Sequence, residues 1–425
     1  MASPLEVFAN TIRNLSAEGS YRDLCDYLTK SSDLLAKNTQ HLDNVLETLD
    51  VQQHSLAILA ILCAKFNAPA STAQNNRYNQ AHDFILNCNG EHIRLAPEMF
   101  AELCHLITAY LVEQKQAIQG IYLIKKAISK MQLFDSQLTS IHADLCHLSL
   151  LAKCFKETLQ VLDIDITGMC QESSANPPFD TKHYLLYFYY GGMIYLAVKN
   201  LDRALYFFEV CITTPAFAIS HIMLEAYKKY ILVALLSHGK VQTVPKYTSH
   251  VVTRFIKPLS QPYHDLASAF MNNNIPELNS VVTKNTELFA RDHNVGLVAQ
   301  VSTMMHKKNI QRLTKTFLTL SLADVALRIG LPGPADAEKI ILHMIEDQQI
   351  FATINQKDGM VVFRDEPEKY NGPEVLIKLE AELGACMDLD RKIFTMDEEI
   401  QVNPQFVKKV AGVQDEDQPK NTYAM

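Results

Sequence analysis

The chain has 425 residues, 48% hydrophobic and 20% charged, which is enough for two or three packed units with a large buried core. Its net charge of −8 argues against nucleic acid or anionic lipid as the main partner, since phosphate affinity comes from clustered Lys and Arg. Fourteen Gly and sixteen Pro are few for this length and lean the reading toward helices. The first fifteen residues carry Glu6 and Arg13 and lack the apolar centre of a signal peptide. Apolar stretches such as Leu56 to Cys63 fall far short of a membrane span. Nine Cys without a C-x-x-C pair fit reduced, mostly buried thiols. A soluble protein of the cytoplasm and nucleus is expected.

From residue 1 to about 300, apolar residues return every three to four positions between short polar breaks, as in stacked helices. Leu42, Val45, Leu46 and Leu49 form one face; Phe100, Leu103, Leu106, Ile107, Tyr110 and Leu111 form another. The longer breaks, Asn67 to Asn76 and Gly168 to Asp180 with Pro177-Pro178, read as surface loops. A weak repeat is clearest from Gly192 and Tyr195 through Ala204 and Phe208 to Pro215. Small residues there let two helices approach while aromatics fill the gap, as in a tetratricopeptide hairpin. Gly120, Thr158 and Thr243 stand near the Ala204 position of degenerate copies at irregular intervals.

After residue 306 the pattern changes. Ile310, Leu313, Phe317 and Leu320 mark one helix face, and Ser321 with Asp324 predicts a cap on a short helix Leu322 to Ile329. Gly330-Leu-Pro-Gly-Pro334 breaks it, and a third helix runs from Ala335 to about Asp347. Ile350 to Ile354 and Met360 to Phe363, joined by Asn355 to Gly359, predict a hairpin. Three helices and a hairpin are the order of a winged helix. After Pro367 and Gly372-Pro373, a final helix of residues 374–401 repeats Leu379, Cys386, Ile393 and Ile400 every seven positions, flanked by Leu376, Leu383, Leu389 and Met396. That spacing is a bundle or coiled-coil seam. Residues 411–425 are polar, and a disordered tail is expected over 406–425.

Catalytic constellations are missing from the sequence. Glu91-His92 has no second His four residues on, so no H-E-x-x-H zinc motif results. His142 and Cys146 share a helix side with His147 nearby, but two ligands do not make a metal site. Gly239-Lys240 has no phosphate-cradling glycine loop, and Gly191-Gly192 suits close helix packing. The stripe Tyr184, Tyr187, Phe188, Tyr189, Tyr190 and Tyr195 lacks interleaved Arg and reads as core. The third winged-helix segment sets Asp336, Glu338, Glu346 and Asp347 against Lys339, which phosphate would repel; Lys307, Lys308, Arg312 and Lys315 on the first read as a solvated face. No enzyme, cofactor or small-molecule substrate is expected.

Helical hairpins leading into a winged helix and a terminal helix resemble the PCI-domain family, which builds the proteasome lid, the COP-nine signalosome and translation initiation factor three. The segments Thr139-Ser-Ile-His-Ala-Asp-Leu-Cys146, Tyr190-Gly-Gly-Met-Ile-Tyr195, His221-Ile-Met-Leu-Glu-Ala-Tyr-Lys-Lys-Tyr230 and Arg254-Phe-Ile-Lys-Pro-Leu259 resemble the signalosome's third-subunit branch. So do Lys307-Lys-Asn-Ile-Gln-Arg-Leu-Thr-Lys-Thr-Phe317, Ile354-Asn-Gln-Lys-Asp-Gly-Met360 and Val402-Asn-Pro-Gln-Phe-Val407.

The resemblance implies helical repeats over residues 1–195, a PCI domain over 196–365 (helical bundle 196–305, winged helix 306–365), a C-terminal helix over 366–405 and a tail. It implies a scaffold in an eight-subunit complex that removes a ubiquitin-like modifier from cullins and so regulates cullin-RING ligases. The zinc isopeptidase centre there belongs to an MPN-type subunit, so other PCI and MPN subunits are the implied partners. Family members associate through winged-helix edges, here Ile350, Ala352, Ile354, Met360, Val361, Val362 and Phe363, and through bundled C-terminal helices. For the latter the residues are Leu376, Leu379, Leu383, Cys386, Leu389, Ile393, Met396 and Ile400. The alternative is a PCI subunit of an assembly that binds nucleic acid, in mRNA export or translation initiation.

Overall fold

Helices with apolar residues at three- and four-residue spacing bury one stripe each against their neighbours, and here those stripes merge into three cores. The structure, a computed structural model of the chain, describes residues 4–68, 74–171, 179–365 and 372–416. Packing divides it into two units, Met1–Asn309 and Ile310–Met425.

The first unit opens with α1 (Pro4–Glu18), α2 (Tyr21–Lys30), α3 (Ser32–Lys37), α4 (Leu42–Leu46), α5 (Ser55–Asn67), α6 (Gln74–Asn87) and α7 (Gly90–Ile93). It continues with α8 (Pro97–Glu113), α9 (Ala117–Met131), α10 (Ile141–Ala152), α11 (Lys156–Leu162), α12 (Thr181–Ala197), α13 (Leu201–Thr213) and α14 (His221–His238). Helices α15 (His250–Leu259), α16 (Gln261–Met271), α17 (Ile275–Lys284), α18 (Thr286–Arg291) and α19 (Val295–Thr314) complete the series. One core runs from Phe8 to Leu148 and a second from Leu138 to Met305, crossing residues 195 and 196 without a break.

The repeat positions show why these helices pair closely. A Cβ on Gly192 of α12 would come within 2.7 Å of the Phe208 ring of α13, and one on Gly191 within 2.7 Å of Phe207. A Cβ on Gly120 of α9 would meet Leu111 and Leu148 at 2.5 and 2.7 Å. Ala204 and Thr158 are fully buried, and Thr158 is hydrogen-bonded to Ser149. Thr243 differs: it is exposed in the link after α14, so the register ends before it. The break Asn67 to Asn76 follows the end of α5, with residues 69–73 outside those described. In the other break, β2 (Gly168–Met169) pairs in parallel with β1 (Gln137–Leu138); residues 172–178, with Pro177-Pro178, also lie outside.

The second unit holds the winged module and the C-terminal helices. Helix α19 stops at Thr314, so Phe317 and Leu320 are not on its face. Leu320 instead lies in β3 (Thr319–Ser321), where pairing with the hairpin replaces the helical hydrogen bonds and still delivers it to the core. Ser321 caps α20 (Leu322–Ile329) by accepting from Asp324 N–H at 3.0 Å. Gly330 ends α20 at φ +73°, a left-handed conformation that favours glycine. Helix α21 (Pro334–Glu346) and strands β4 (Phe351–Asn355) and β5 (Met360–Arg364) come next. Ile310, Val325, Ile329, Ile341, Met344, Val361 and Phe363 fill the small core.

Helix α22 (Pro373–Val402) carries the seven-residue apolar line. The expected disorder beyond residue 405 does not begin there, because α23 (Pro404–Glu416) continues the chain. Pro404 suits a first helical position and Asn403 Oδ1 accepts from Gln405 N–H at 2.9 Å, which starts a new helix after the break. Residues 417–425 lie outside those described.

Candidate subunit-interaction site

The winged-module sheet has the order β3-β5-β4, so β5 is its middle strand. This corrects the expectation that the whole hairpin forms an edge. Met360, Val361, Val362 and Phe363 are paired on both sides, while Val361, Phe363 and Ile350 are buried in the module's own core. A one-strand extension of the sheet has to use β3 or β4.

Hydrogen-bond alternation shows what β4 offers. Phe363 N–H donates to Leu318 C=O and Leu322 N–H to Gly359 C=O, both at 2.8 Å. In an antiparallel ladder this turns the odd-numbered amides of β5 toward β3 and the even-numbered ones toward β4. Residues 360, 362 and 364 therefore pair with Asn355, Thr353 and Phe351. Among the described residues no strand pairs with the outer side of β4, where the backbone groups of Ala352 and Ile354 point outward while their half-buried side chains face the core.

Helix α22 has no buried residue. Leu376, Leu379, Leu383, Leu389, Ile393, Met396 and Ile400 are each 51–68% exposed, and Cys386 is exposed with them. Thirty residues at 1.5 Å per residue make it about 45 Å long, with an apolar line along most of that length. Soluble chains rarely leave so continuous an apolar surface in water.

The polar groups considered for chemistry have structural settings. His142 is buried at the start of α10, with Nδ1 3.1 Å from Thr139 N–H and 2.8 Å from Thr139 Oγ1. Burial pulls its imidazole down to about 4. Burial pushes the Cys146 thiol up and the Cys63 thiol up to about 12, leaving both unreactive. Among the described residues no group of three or more His, Cys, Asp or Glu is placed to hold a metal ion, and no helix is long and apolar enough to cross a membrane. On α21 Lys339, His343 and Glu346 are exposed and Asp336 and Glu338 half-buried; His343 pairs with Glu346, Lys339 with Asp336, and Glu338 accepts from Gln356 Nε2 at 3.1 Å.

Two clusters are visible only in three dimensions. Lys228 of α14 meets Glu225 and Asp292, and Tyr263 of α16 donates to Asp292. His105 of α8 lies 2.6 Å from Asp144 of α10 and stacks on His183 of α12 at 4.3 Å. Burial, with His105 beside it, holds His183 below the usual imidazole range. The sequence signal for the first cluster was the pair Lys228-Lys229 inside an apolar helix; the second had none.

Helical hairpins that run into a winged helix with a three-stranded sheet, and then into a long exposed helix, define a PCI-type assembly subunit. A PCI-domain family model matches residues 282–365. A second, described as COP9 signalosome complex subunit 3, N-terminal helical repeats, matches residues 18–252, more than half of the chain. The chain is 50% identical over 432 residues to COP9 signalosome complex subunit 3 of Drosophila melanogaster, spanning 98% of this chain and 97% of that protein. It is 39% identical over 392 residues to COP9 signalosome complex subunit 3 of Dictyostelium discoideum, spanning 91% of each. The chain belongs to the COP9 signalosome subunit 3 family.

Proposed function

We propose that this subunit is a non-catalytic scaffold whose presence lets the complex remove a ubiquitin-like modifier from cullins and so regulate cullin-RING ligases. The observation that carries the reading is α22, a 30-residue helix with no buried residue and a continuous apolar line. Such a surface is stabilised only by burial against something else, at roughly 1.5–3 kcal/mol for each Leu or Ile covered. Partner PCI and MPN subunits supply that cover, through bundled C-terminal helices and through strand addition at the outer edge of β4. The interface residues are Ala352 and Ile354 on that edge and Leu376, Leu379, Leu383, Cys386, Leu389, Ile393, Met396 and Ile400 on the helix. No nucleophile, metal-ligand or phosphate-cradle pattern in the sequence argues for chemistry by this chain itself. Nine cysteines with no C-x-x-C pair suit the reducing cytoplasm and nucleus. The nucleic-acid alternative is disfavoured by the acidic balance of α21.

The test is to purify the complex through a tag on this chain and assay release of the modifier from a modified cullin. Release by the complex and none by the isolated chain is the expected result. Release by the isolated chain overturns the scaffold reading.

A further inference from the structure

Helix α22 holds eight carboxylates against three cations, so it is far more acidic than the chain's average. Their positions are more telling than their number. Side chains three or four residues away share a helix face. Around the line Leu379, Cys386, Ile393 and Ile400, the positions of α22 at that spacing are Val375, Leu376, Glu382, Leu383, Leu389, Asp390, Met396 and Asp397. Five are apolar, three are acidic and none is basic. Lys378 and Lys392 each precede a residue of the line and stand about 100° from it, outside the Glu382 column, while Arg391 lies on the far side and pairs locally with Asp388 at 3.3 Å. Glu382, Asp390 and Asp397 are exposed at the margin of the apolar line, where a bundled partner passes within reach.

We propose that the partner surface seated on α22 is an amphipathic helix with Lys or Arg flanking its apolar stripe, set opposite Glu382, Asp390 and Asp397. This rests on the bundle reading above and narrows it to one class of occupant. The same charges disfavour a second copy of this chain, because acidic flanks facing acidic flanks repel. Flanking charges of this kind act on partner choice and approach more than on raw affinity, so the preference weakens as salt rises.

The test measures binding of the full-length protein to two synthetic heptad helices that share one Leu stripe, one with Lys flanks and one with Glu flanks. At low salt the Lys-flanked helix should bind at least about tenfold tighter. That ratio should shrink on raising the salt, and in the variant Glu382→Gln/Asp390→Asn/Asp397→Asn. Circular dichroism of the variant should stay that of the parent, since the one exposed contact touched, Gln401 Nε2–H to Asp397 Oδ2 at 2.7 Å, can be kept by an amide oxygen. Equal binding of both peptides overturns the charge inference and leaves the bundle reading standing. Tighter binding of the Glu-flanked helix overturns it in favour of a self-like or acidic partner. Failure of both peptides to bind, with Leu383→Asp/Ile393→Asp indistinguishable from the parent, overturns the bundle reading as well.

Discussion

Lys228 Nζ lies 2.8 Å from Asp292 Oδ2, and the two side chains are 8% and 5% exposed. The pair ties the middle of α14 to the turn between α18 and α19. It sits in a network: Lys228 also reaches Glu225 at 2.6 Å, and Tyr263 donates to Asp292 at 2.9 Å. Asn294 Nδ2 donates to Tyr263 at 2.9 Å, and Lys229 donates to Asn294 Oδ1 at 3.1 Å. Burial works to raise the Asp292 carboxyl, but Lys228 and Tyr263 outweigh it and hold it below the usual carboxylate range. Removing one member of a buried pair leaves the other charge without compensation, which costs about 3–5 kcal/mol. Asp292→Ala should therefore lose about 3 kcal/mol in urea unfolding, and Lys228→Met/Asp292→Ala less than the two single changes together. A loss under about 1 kcal/mol for Asp292→Ala would show that the network does not hold these helices together.

The close approach of α12 to α13 should respond to one methyl group. In Gly192→Ala the new Cβ stands 2.7 Å from the Phe208 ring, which is fully buried and has no free direction in which to move. Overpacking costs about 1–3 kcal/mol, and the better helix propensity of Ala returns about 1. A net loss of about 1–2 kcal/mol is expected in chemical denaturation. A more stable variant contradicts the packing.

His142 sets a pH dependence. Its folded-state pKa of about 4 lies below the ordinary imidazole value, so between about pH 6.5 and 4 the unfolded chain binds the proton and the folded chain does not. Stability from this group is complete above that window and falls as pH falls through it, by at most about 1.4 kcal/mol per pH unit. Urea midpoints at pH 7, 6 and 5 should fall faster for the parent than for His142→Gln, which has no ring to protonate. Parallel lines for the two proteins would count against a neutral, buried His142.

Blocking the sheet edge separates assembly from folding. Ala352→Pro removes an amide that points away from β5, so the module should keep its thermal midpoint within a few degrees. Recovery of neighbouring subunits in a pull-down should fall. Val361→Pro removes an amide aimed at β3 from the middle strand, and that module should unfold. Full recovery with Ala352→Pro at normal stoichiometry rules out strand addition at β4.

Much of the second unit was legible because its signals are local. Ser321 with Asp324, the left-handed Gly330 and the Asn355 to Gly359 turn each act within a few residues, and each falls where its chemistry places it. The third strand was not legible. Thr319 to Ser321 is too short for a period of two, and its partner is β5, about forty residues away. Without β3, β5 read as an edge, and the candidate interface took in Val361 and Phe363, which are core. The repeat was visible where Gly192 faces Phe208 and faded at Thr243, where no helix face has to be fitted. Lys228 and Asp292 are far apart in sequence, and neither periodicity nor spacing connects them. The seven-residue line of α22 was legible in the sequence, because heptad spacing is a local pattern that does not depend on what packs against it.

The central claim is that α22 holds this chain in its complex without being part of its own core. Native mass of the assembly isolated through a tag on the parent chain, compared with Leu383→Asp/Ile393→Asp, tests it most directly. Both changed positions are more than half exposed, so the variant should fold with unchanged circular dichroism and thermal midpoint. The parent should be recovered in a large hetero-oligomer and the variant as a free chain of 48.0 kDa. A variant that remains in the full assembly at normal stoichiometry, or one that unfolds, contradicts the account.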